Sequence, residues 1–327
     1  MSGVQNIAVT DDEAGMRIDR WFKSHFPTVT HGQLEKFLRK GEVRVGGGRV
    51  KSNRRLEAGE NIRIPPLSTV PTQRKAQASG DKESRKLIAA MTLYEDDDIL
   101  ALNKPFGLAV QGGEKTARHV DGMMASLEKD GVRPKLVHRL DKDTGGLLLV
   151  AKTRKAAQSL AEAFKGRDVE KTYWALVVGA PRPKQGEINM PVAKRMVRIG
   201  GKGVEQVVPA EGEGAKPAVS LYQIVEDIGR VAFVAMRPIT GRTHQLRVHA
   251  AAIGHPIVGD YKYGGAESRI EGVAEKLHLF CRAMTFNHPR TGKTMTINAP
   301  LTGVMKETWS FFGFDDNAEV EWPELDQ

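Results

Sequence analysis

The sequence predicts an α+β fold in two domains, and three features carry that expectation. The chain has 327 residues, more than one ordinary domain needs to bury a core. The stretch LSTVPTQRKAQASGDKESRKLIAA (67–90) is polar, has no sustained apolar period, and parts a short basic segment from a long one. Beyond it, short apolar or alternating runs that read as strands outnumber helical ones. The expected layout is a small domain at 1–66, a flexible linker at 67–90, a large domain at 91–314 and a frayed acidic tail at 315–327.

In the small domain, GMRIDRWFKSHF places Ile18, Trp21, Phe22 and Phe26 on one helical face and keeps Arg17, Arg20 and Lys23 off it. Thr30 and Gln33 form a capping box for a second helix, which presents Leu34, Phe37 and Leu38 on one side and closes at Gly41. Val43–Val45, a glycine turn at 46–48 and Arg49–Lys51 read as a hairpin, with Asn61–Ile64 as a last strand. Packing the helix pair on these strands leaves Arg17, Arg20, Lys36, Arg39, Lys40, Arg44, Arg54 and Arg55 exposed.

The large domain opens with strand, turn and strand: Leu93–Tyr94, Asp96–Asp98 and Ile99–Leu102, ended by Pro105. Next comes the densest chemistry in the chain, KLVHRLDKDTGGLLLVAKT (135–153). Polar and charged groups crowd a short loop, and a continuous apolar run, Leu147–Ala151, follows at once with the length of a buried strand. A loop fastened to such a strand holds a side chain rigidly at a cleft. We read Asp141 as that side chain; Asp143, two residues on beside Lys142, faces solvent. Thr153 caps a helix whose Ala157, Leu160, Ala161 and Phe164 face the core and which ends at Gly166.

A strand over Val169–Val178 then alternates, with Lys171 and Tyr173 on one face. The strand after Asp141 carries the chain roughly 20 Å away at about 3.3 Å per residue, and a helix of about 12 residues returns it by roughly 18 Å. These lengths allow Tyr173 to lie near Asp141. The tract at 200–217 is polar, glycine-rich and expected as an excursion between strands. Val231–Met236 is a further strand, followed by PITGRTHQLRVH with a helix starting near Thr243. That puts Arg242 at the first helical turn, facing either a carboxylate or a phosphate.

The net charge of +9 favours a polyanionic partner, nucleic acid before membrane, because the basic residues are scattered rather than gathered on one amphipathic helix. A single cysteine, Cys281, excludes an internal disulfide and a thiolate metal cluster and suits a reducing compartment. No run approaches 18 apolar residues and no secretory leader pattern opens the chain, so a cytoplasmic protein is expected. The histidines show no metal-ligand spacing, and no metal site is expected.

HRLDKDTGGLLLVAK, NKPFGLAV, KTYWALV, GRTHQLRVH and GDYKYG together resemble the RluA-type pseudouridine synthases. RIDRWF through GENIRI in the small domain resembles the S4 RNA-binding domain. With the S4 domain in front, the likeness is closest to ribosomal large-subunit synthases of the C and D kind. The resemblance implies an S4 domain followed by a catalytic domain with a mixed, mainly antiparallel sheet and a central RNA-binding cleft. It assigns Asp141 as the essential aspartate, Tyr173 as the residue stacking on the target base, and Arg242 as the arginine paired with the aspartate. Arg139 matches the residue that helps displace the base, and Lys171 a position lining the cleft. Arg17, Lys36, Arg39, Lys40 and Arg44 match the RNA-facing surface of the S4 domain. Gly145 departs from the serine usual there.

The implied reaction breaks the bond from uracil N1 to C1′, turns the base and joins C5 to C1′. An ionised carboxylate either adds to C1′ or removes the 2′ proton. An aromatic face holds the freed base while it turns, and the Tyr173 hydroxyl is a candidate to remove the C5 proton. The reaction needs neither oxidant nor hydrolysis, so no cofactor is expected. The expected partner is RNA, 23S ribosomal RNA or an assembling large ribosomal subunit, met by a monomer. The alternative is a noncatalytic assembly factor on the same scaffold.

Overall fold

The computed structural model describes residues 3–10, 13–26, 29–67, 74–112, 118–129, 131–320 and 322. The chain divides into two compact units, 1–75 and 76–327.

The first unit runs β1 (Gln5–Ala8), α1 (Ile18–His25), α2 (His31–Lys40), β2 (Arg44–Val45) and β3 (Asn61–Ile64). Its antiparallel sheet has the order β1-β3-β2. Ile18, Trp21 and Phe22 of α1 and Leu34 and Leu38 of α2 are buried with Ile62 and Ile64 of β3 in one core. The Thr30–Gln33 capping box forms, and Gly41 takes the left-handed conformation that ends α2. The expected hairpin does not form: Arg49–Lys51 is not a strand, and the turn at 45–48 closes on a single bridge, Val45 to Gly48. Three consecutive glycines turn the chain without a returning strand, and β2 pairs with β3 instead.

The second unit begins within a helix, where a flexible linker is expected. α3 spans Arg74–Met91; residues 68–73 lie outside the described residues. Its end is pinned by burial: Ile88 and Met91, with Leu87 beside them, pack into the main core of this unit. These three apolar residues fall within five positions at the end of a polar segment, too short a run to show a period. There follow β4 (Thr92–Glu95), β5 (Ile99–Lys104), α4 (Val120–Met123), β6 (Lys135–Leu136), β7 (Gly145–Ala151) and α5 (Arg154–Gly166). Next come β8 (Glu170–Val178), β9 (Gln185–Asn189), β10 (Val192–Ile199), β11 (Lys202–Pro209), β12 (Val219–Asp227) and β13 (Val231–Pro238). α6 (Gln245–Ala252), β14 (Leu279–Asn287), β15 (Thr294–Asn298) and α7 (Gly303–Phe312) complete the unit.

Ten strands form one mixed sheet with the main order β4-β5-β7-β14-β8-β13-β12-β9. Its pairings are antiparallel except β7 with β14, where Gly145 and Gly146 lie against Phe280 and Cys281. Alternation along the central strands feeds two cores. Trp174, Leu176 and Phe233 pack with Leu160 of α5 and Trp309 of α7. Ala175, Val177 and Val234 pack with Leu246 and Ala250 of α6.

Two further expectations change. The tract at 200–217 is not a plain excursion: β10 and β11 form a two-stranded ribbon in register from Val192–Pro209 to Ile199–Lys202, and the tract supplies its turn and second strand. The tail is not frayed from 315 onward. Ala318, Val320 and Trp322 pack on the core, and the Arg237 guanidinium lies 4.5 Å from the Trp322 ring centre.

Candidate active site

The loop from His138 to Thr144 is held from both sides by polar side chains. His138 Nε2 accepts a hydrogen bond from the Leu149 backbone N–H at 2.8 Å, and its ring stacks on Phe164 at 4.5 Å. Burial, with the Lys171 charge beside it, pushes the imidazole down to about 3, so it is a neutral acceptor at pH 7. Lys104, fully buried, donates to the carbonyls of Pro105 at 3.0 Å, Leu108 at 2.8 Å and Lys142 at 3.1 Å. Burial lowers its ammonium to about 8 against the opposing charges of Asp143 and Asp141. It remains mainly a cation at pH 7, tied to the loop that carries both carboxylates.

Asp141 lines a cavity of about 320 Å³ together with Arg139, Lys171, Tyr173, Arg242, His244 and Arg247. Among the described residues it is the one carboxylate in that lining. Lys171 and Tyr173 reach the cavity from the same face of β8. Tyr173 and the Asp141 loop share this cavity, as the element lengths allow. Burial first, then Cys281 and the Asp141 charge, raise the Tyr173 phenol well above its ordinary value, and it stays neutral. Cys281, hydrogen-bonded to it, is pushed up by burial to about 12. Lys171 is lowered by burial, with its ammonium 5.8 Å from the Phe164 ring centre. Arg139 is exposed, with one long contact of 3.5 Å to Gln111.

Arg242 lines the cavity but does not pair with Asp141. Its Nε donates to the Pro217 carbonyl at 3.0 Å. The reason is local: α6 starts at Gln245, not near Thr243, because His244 adopts a left-handed backbone (φ 55°, ψ 17°) as the cap. Arg242 thus sits in the turn before the helix. The guanidinium in the field of Asp141 is Arg247, which is 11% exposed and bound by two hydrogen bonds of 2.8 and 2.7 Å to buried Asp260. His244 lies beside the Asp141 carboxylate, its Nε2 3.6 Å from Oδ2. A hydrophobic-period reading overlooks Arg247 because the helix is only eight residues long. The signal available was its place two residues into α6, within one turn of the capping residue.

In the first unit, Lys36, Arg39 and Lys40 lie exposed on α2, and Arg44 follows on β2. Lys40 is 3.7 Å from Glu42, and the Arg44 Nε donates to the Gly41 carbonyl. Arg17 is committed to Asp19 at 2.6 Å.

Asp96, Asp98 and His288 come together closely enough to hold a cation. Their ligand atoms are already engaged. Asp96 accepts from the Asp98 and Ile99 backbone N–H groups and contacts His288 at 2.9 Å, and Arg290 binds Asp98. The cluster pins the β4–β5 turn to the β14–β15 turn.

A ten-stranded mixed sheet with a single loop carboxylate facing an aromatic ring and several cations defines an RNA pseudouridylate synthase domain, and the family model of that description matches residues 98–252. Similarity extends well beyond those limits. The chain is 39% identical over 306 residues to the ribosomal large subunit pseudouridine synthase C of Yersinia pestis, covering 93% of this chain and 94% of that one. It is 38% identical over 308 residues to the synthase of the same name from Escherichia coli K12, covering 93% and 95%. Human RNA pseudouridylate synthase domain containing 4 superposes with a TM-score of 0.57 at 26% identity, over 72% of this chain and 97% of that one. The chain belongs to the RluA-type pseudouridine synthase family.

Proposed function

We propose that this protein isomerises uridines to pseudouridine in large-subunit ribosomal RNA, with Asp141 as the reacting carboxylate. The observation that carries this reading is the meeting of Asp141, the Tyr173 ring and the cations Arg139, Lys171 and Arg247 in one cavity. The two bacterial relatives are named for the same activity on the ribosomal large subunit. The Asp141 carboxylate, with the Arg247 guanidinium in its field, adds to C1′ or takes the 2′ proton as the bond to N1 breaks. The Tyr173 ring backs the freed uracil while it turns. C5 then bonds to C1′ as the Asp141 carboxylate leaves C1′ or returns the 2′ proton; the C5 proton is removed with the Tyr173 hydroxyl as the candidate acceptor, and N1 gains a proton. Reaching the base requires extruding it, at a cost of about a few kcal/mol, and exposed Arg139 fills the vacated space. The assembly-factor reading leaves the single cavity carboxylate without a purpose.

The function is tested by incubating the purified protein with unmodified large-subunit rRNA, without added cofactor, and mapping pseudouridine by carbodiimide-dependent reverse-transcription stops. Stops at a few discrete uridines are expected; tight binding with no stops overturns the reading.

We infer further that residues 1–66 act as an S4-type anchor on RNA, through Lys36, Arg39, Lys40 and Arg44. Arg17 takes a lesser part because it is bound to Asp19. Replacing Lys36, Arg39 and Lys40 together by alanine is expected to weaken RNA binding and to flatten its salt dependence by about 0.7 in log–log slope for each phosphate no longer neutralised. A slope identical to the parent's removes this role. The protein is expected to work in the cytoplasm as a monomer. No helix among the described residues is long and apolar enough to cross a membrane. The exposed large apolar side chains are scattered over several elements.

A further inference from the structure

His244 Nε2 lies 3.6 Å from the Asp141 carboxylate, and the surroundings of the ring determine which nitrogen carries the proton. Nδ1 lies 2.6 Å from the Tyr263 hydroxyl, while Nε2 points at Asp141 Oδ2. The charged and titratable groups around the ring are Asp141, Arg247, Lys262, Asp260 and Tyr263. Burial leads the effects that keep the imidazole neutral, so it has one N–H to place. With the proton on Nδ1, a bare nitrogen lone pair would face the Asp141 carboxylate. With the proton on Nε2, that nitrogen becomes a donor toward the carboxylate and Nδ1 accepts from the tyrosine. The Tyr263 oxygen is itself approached by the Val207 backbone N–H, so its hydrogen is free to turn to His244.

The backbone is arranged to hold the ring there. His244 is one of two non-glycine residues with positive φ among the described residues. The turn before it is fixed by buried Gln245, which accepts from Thr240 Oγ1 at 2.7 Å and the Arg242 N–H at 3.0 Å and donates to the Val219 carbonyl and Ser220 Oγ at 2.9 Å. A costly backbone conformation held by a satisfied buried network is the mark of a positioned side chain. Tyr263 is likewise held: Arg247 lies 5.1 Å over its ring, and Gln206 of β11 donates to the neighbouring Lys262 carbonyl at 3.1 Å.

We propose that His244 is a positioning residue for Asp141. The Tyr263 hydroxyl donates to Nδ1 and fixes the Nε2–H tautomer, and that N–H draws Asp141 Oδ2 to one side so that the other oxygen faces the ribose. On this proposal the 3.6 Å separation shortens to a hydrogen bond in the substrate complex. The proposal rests on the reading of Asp141 as the reacting group.

Two measurements on the full-length protein test it. In 15N-histidine-labelled protein, long-range proton–nitrogen correlation should show His244 as the Nε2–H tautomer, its signal assigned by its loss in His244→Gln. A Tyr263→Phe variant should show a mixture of tautomers. A dominant Nδ1–H form in the parent overturns the proposal whatever the variants do. In single turnover on rRNA at saturating protein, His244→Phe should slow isomerisation by about 100-fold with RNA affinity within about twofold, the scale of losing one positioned donor. His244→Gln, which restores an N–H near the Nε2 position, should recover at least tenfold of that. Tyr263→Phe should lose about tenfold, and the double variant His244→Phe, Tyr263→Phe should be no slower than His244→Phe alone. Additive losses, or a folded His244→Phe within twofold of the parent, overturn the relay. An active Asp141→Asn protein instead overturns the reading beneath it.

Discussion

Replacing Asp141 by asparagine is expected to slow isomerisation by at least about 10⁴-fold in single turnover while leaving RNA affinity within about threefold. Asparagine has nearly the same shape but can neither add to C1′ as an anion nor take the 2′ proton. The loop should keep its form, because its fastenings are to backbone atoms. The Thr144 N–H donates to the Asp141 carbonyl at 3.1 Å, and the Lys142 carbonyl accepts from the Gly107 N–H at 2.9 Å and from Lys104. The Asp141 side chain is 23% exposed, so its neutralisation leaves no deeply buried unpaired group. Binding comes mainly from cations that the change does not touch. Carbodiimide mapping and a filter-binding titration on one preparation separate the two quantities. Activity above about 1% of the parent's would mean that another group does the chemistry.

The parts of this site that the sequence reveals are those fixed by local rules. An apolar run of strand length after HRLDKDTGG locates β7, Thr153 caps α5 by accepting from the Ala156 N–H, and alternation along β8 sends Lys171 and Tyr173 to the same cavity. What stays hidden depends on single backbone conformations or on packing between distant segments. A left-handed His244 delays the start of α6 and exchanges Arg242 for Arg247 as the guanidinium in the aspartate's field; no period reports such a residue. At the end of α5, Gly166 remains helical and Arg167 takes the left-handed position. Lys104 reads as a strand-end lysine until the loop folds over it. The departure at Gly145 is explained only in three dimensions: a Cβ there would meet the Phe106 ring at 2.7 Å and Phe280 at 3.0 Å. Phe106 of NKPFG occupies the space a serine would need.

The adjacent position should be far less tolerant, and Gly146→Ala is expected to destabilise the fold by more than about 4 kcal/mol, the range reserved for a few named mechanisms. Two of those mechanisms coincide at Gly146. Its φ of 101° is a conformation that side chains rarely adopt. A Cβ added there would lie 2.3 Å from the Cys281 carbonyl oxygen and 2.7 Å from the Cys281 nitrogen. These are backbone atoms of β14, which cannot swing aside as a ring edge can. Relief requires parting β7 from β14 at the one parallel junction of the sheet, five residues from Asp141 and beside Tyr173, which is paired across β14 with Cys281. Gly145→Ser is the natural comparison. There the clash is with the outer atoms of the half-buried Phe106 ring, and overpacking of that kind costs about 1–3 kcal/mol. Urea unfolding of the parent and the two variants measures the difference through their midpoints. Gly146→Ala should be insoluble or largely unfolded in buffer, and Gly145→Ser folded with a lowered midpoint. A Gly146→Ala protein within about 1 kcal/mol of the parent would show that β7 and β14 can separate at little cost, and that the Asp141 loop is not braced by their contact.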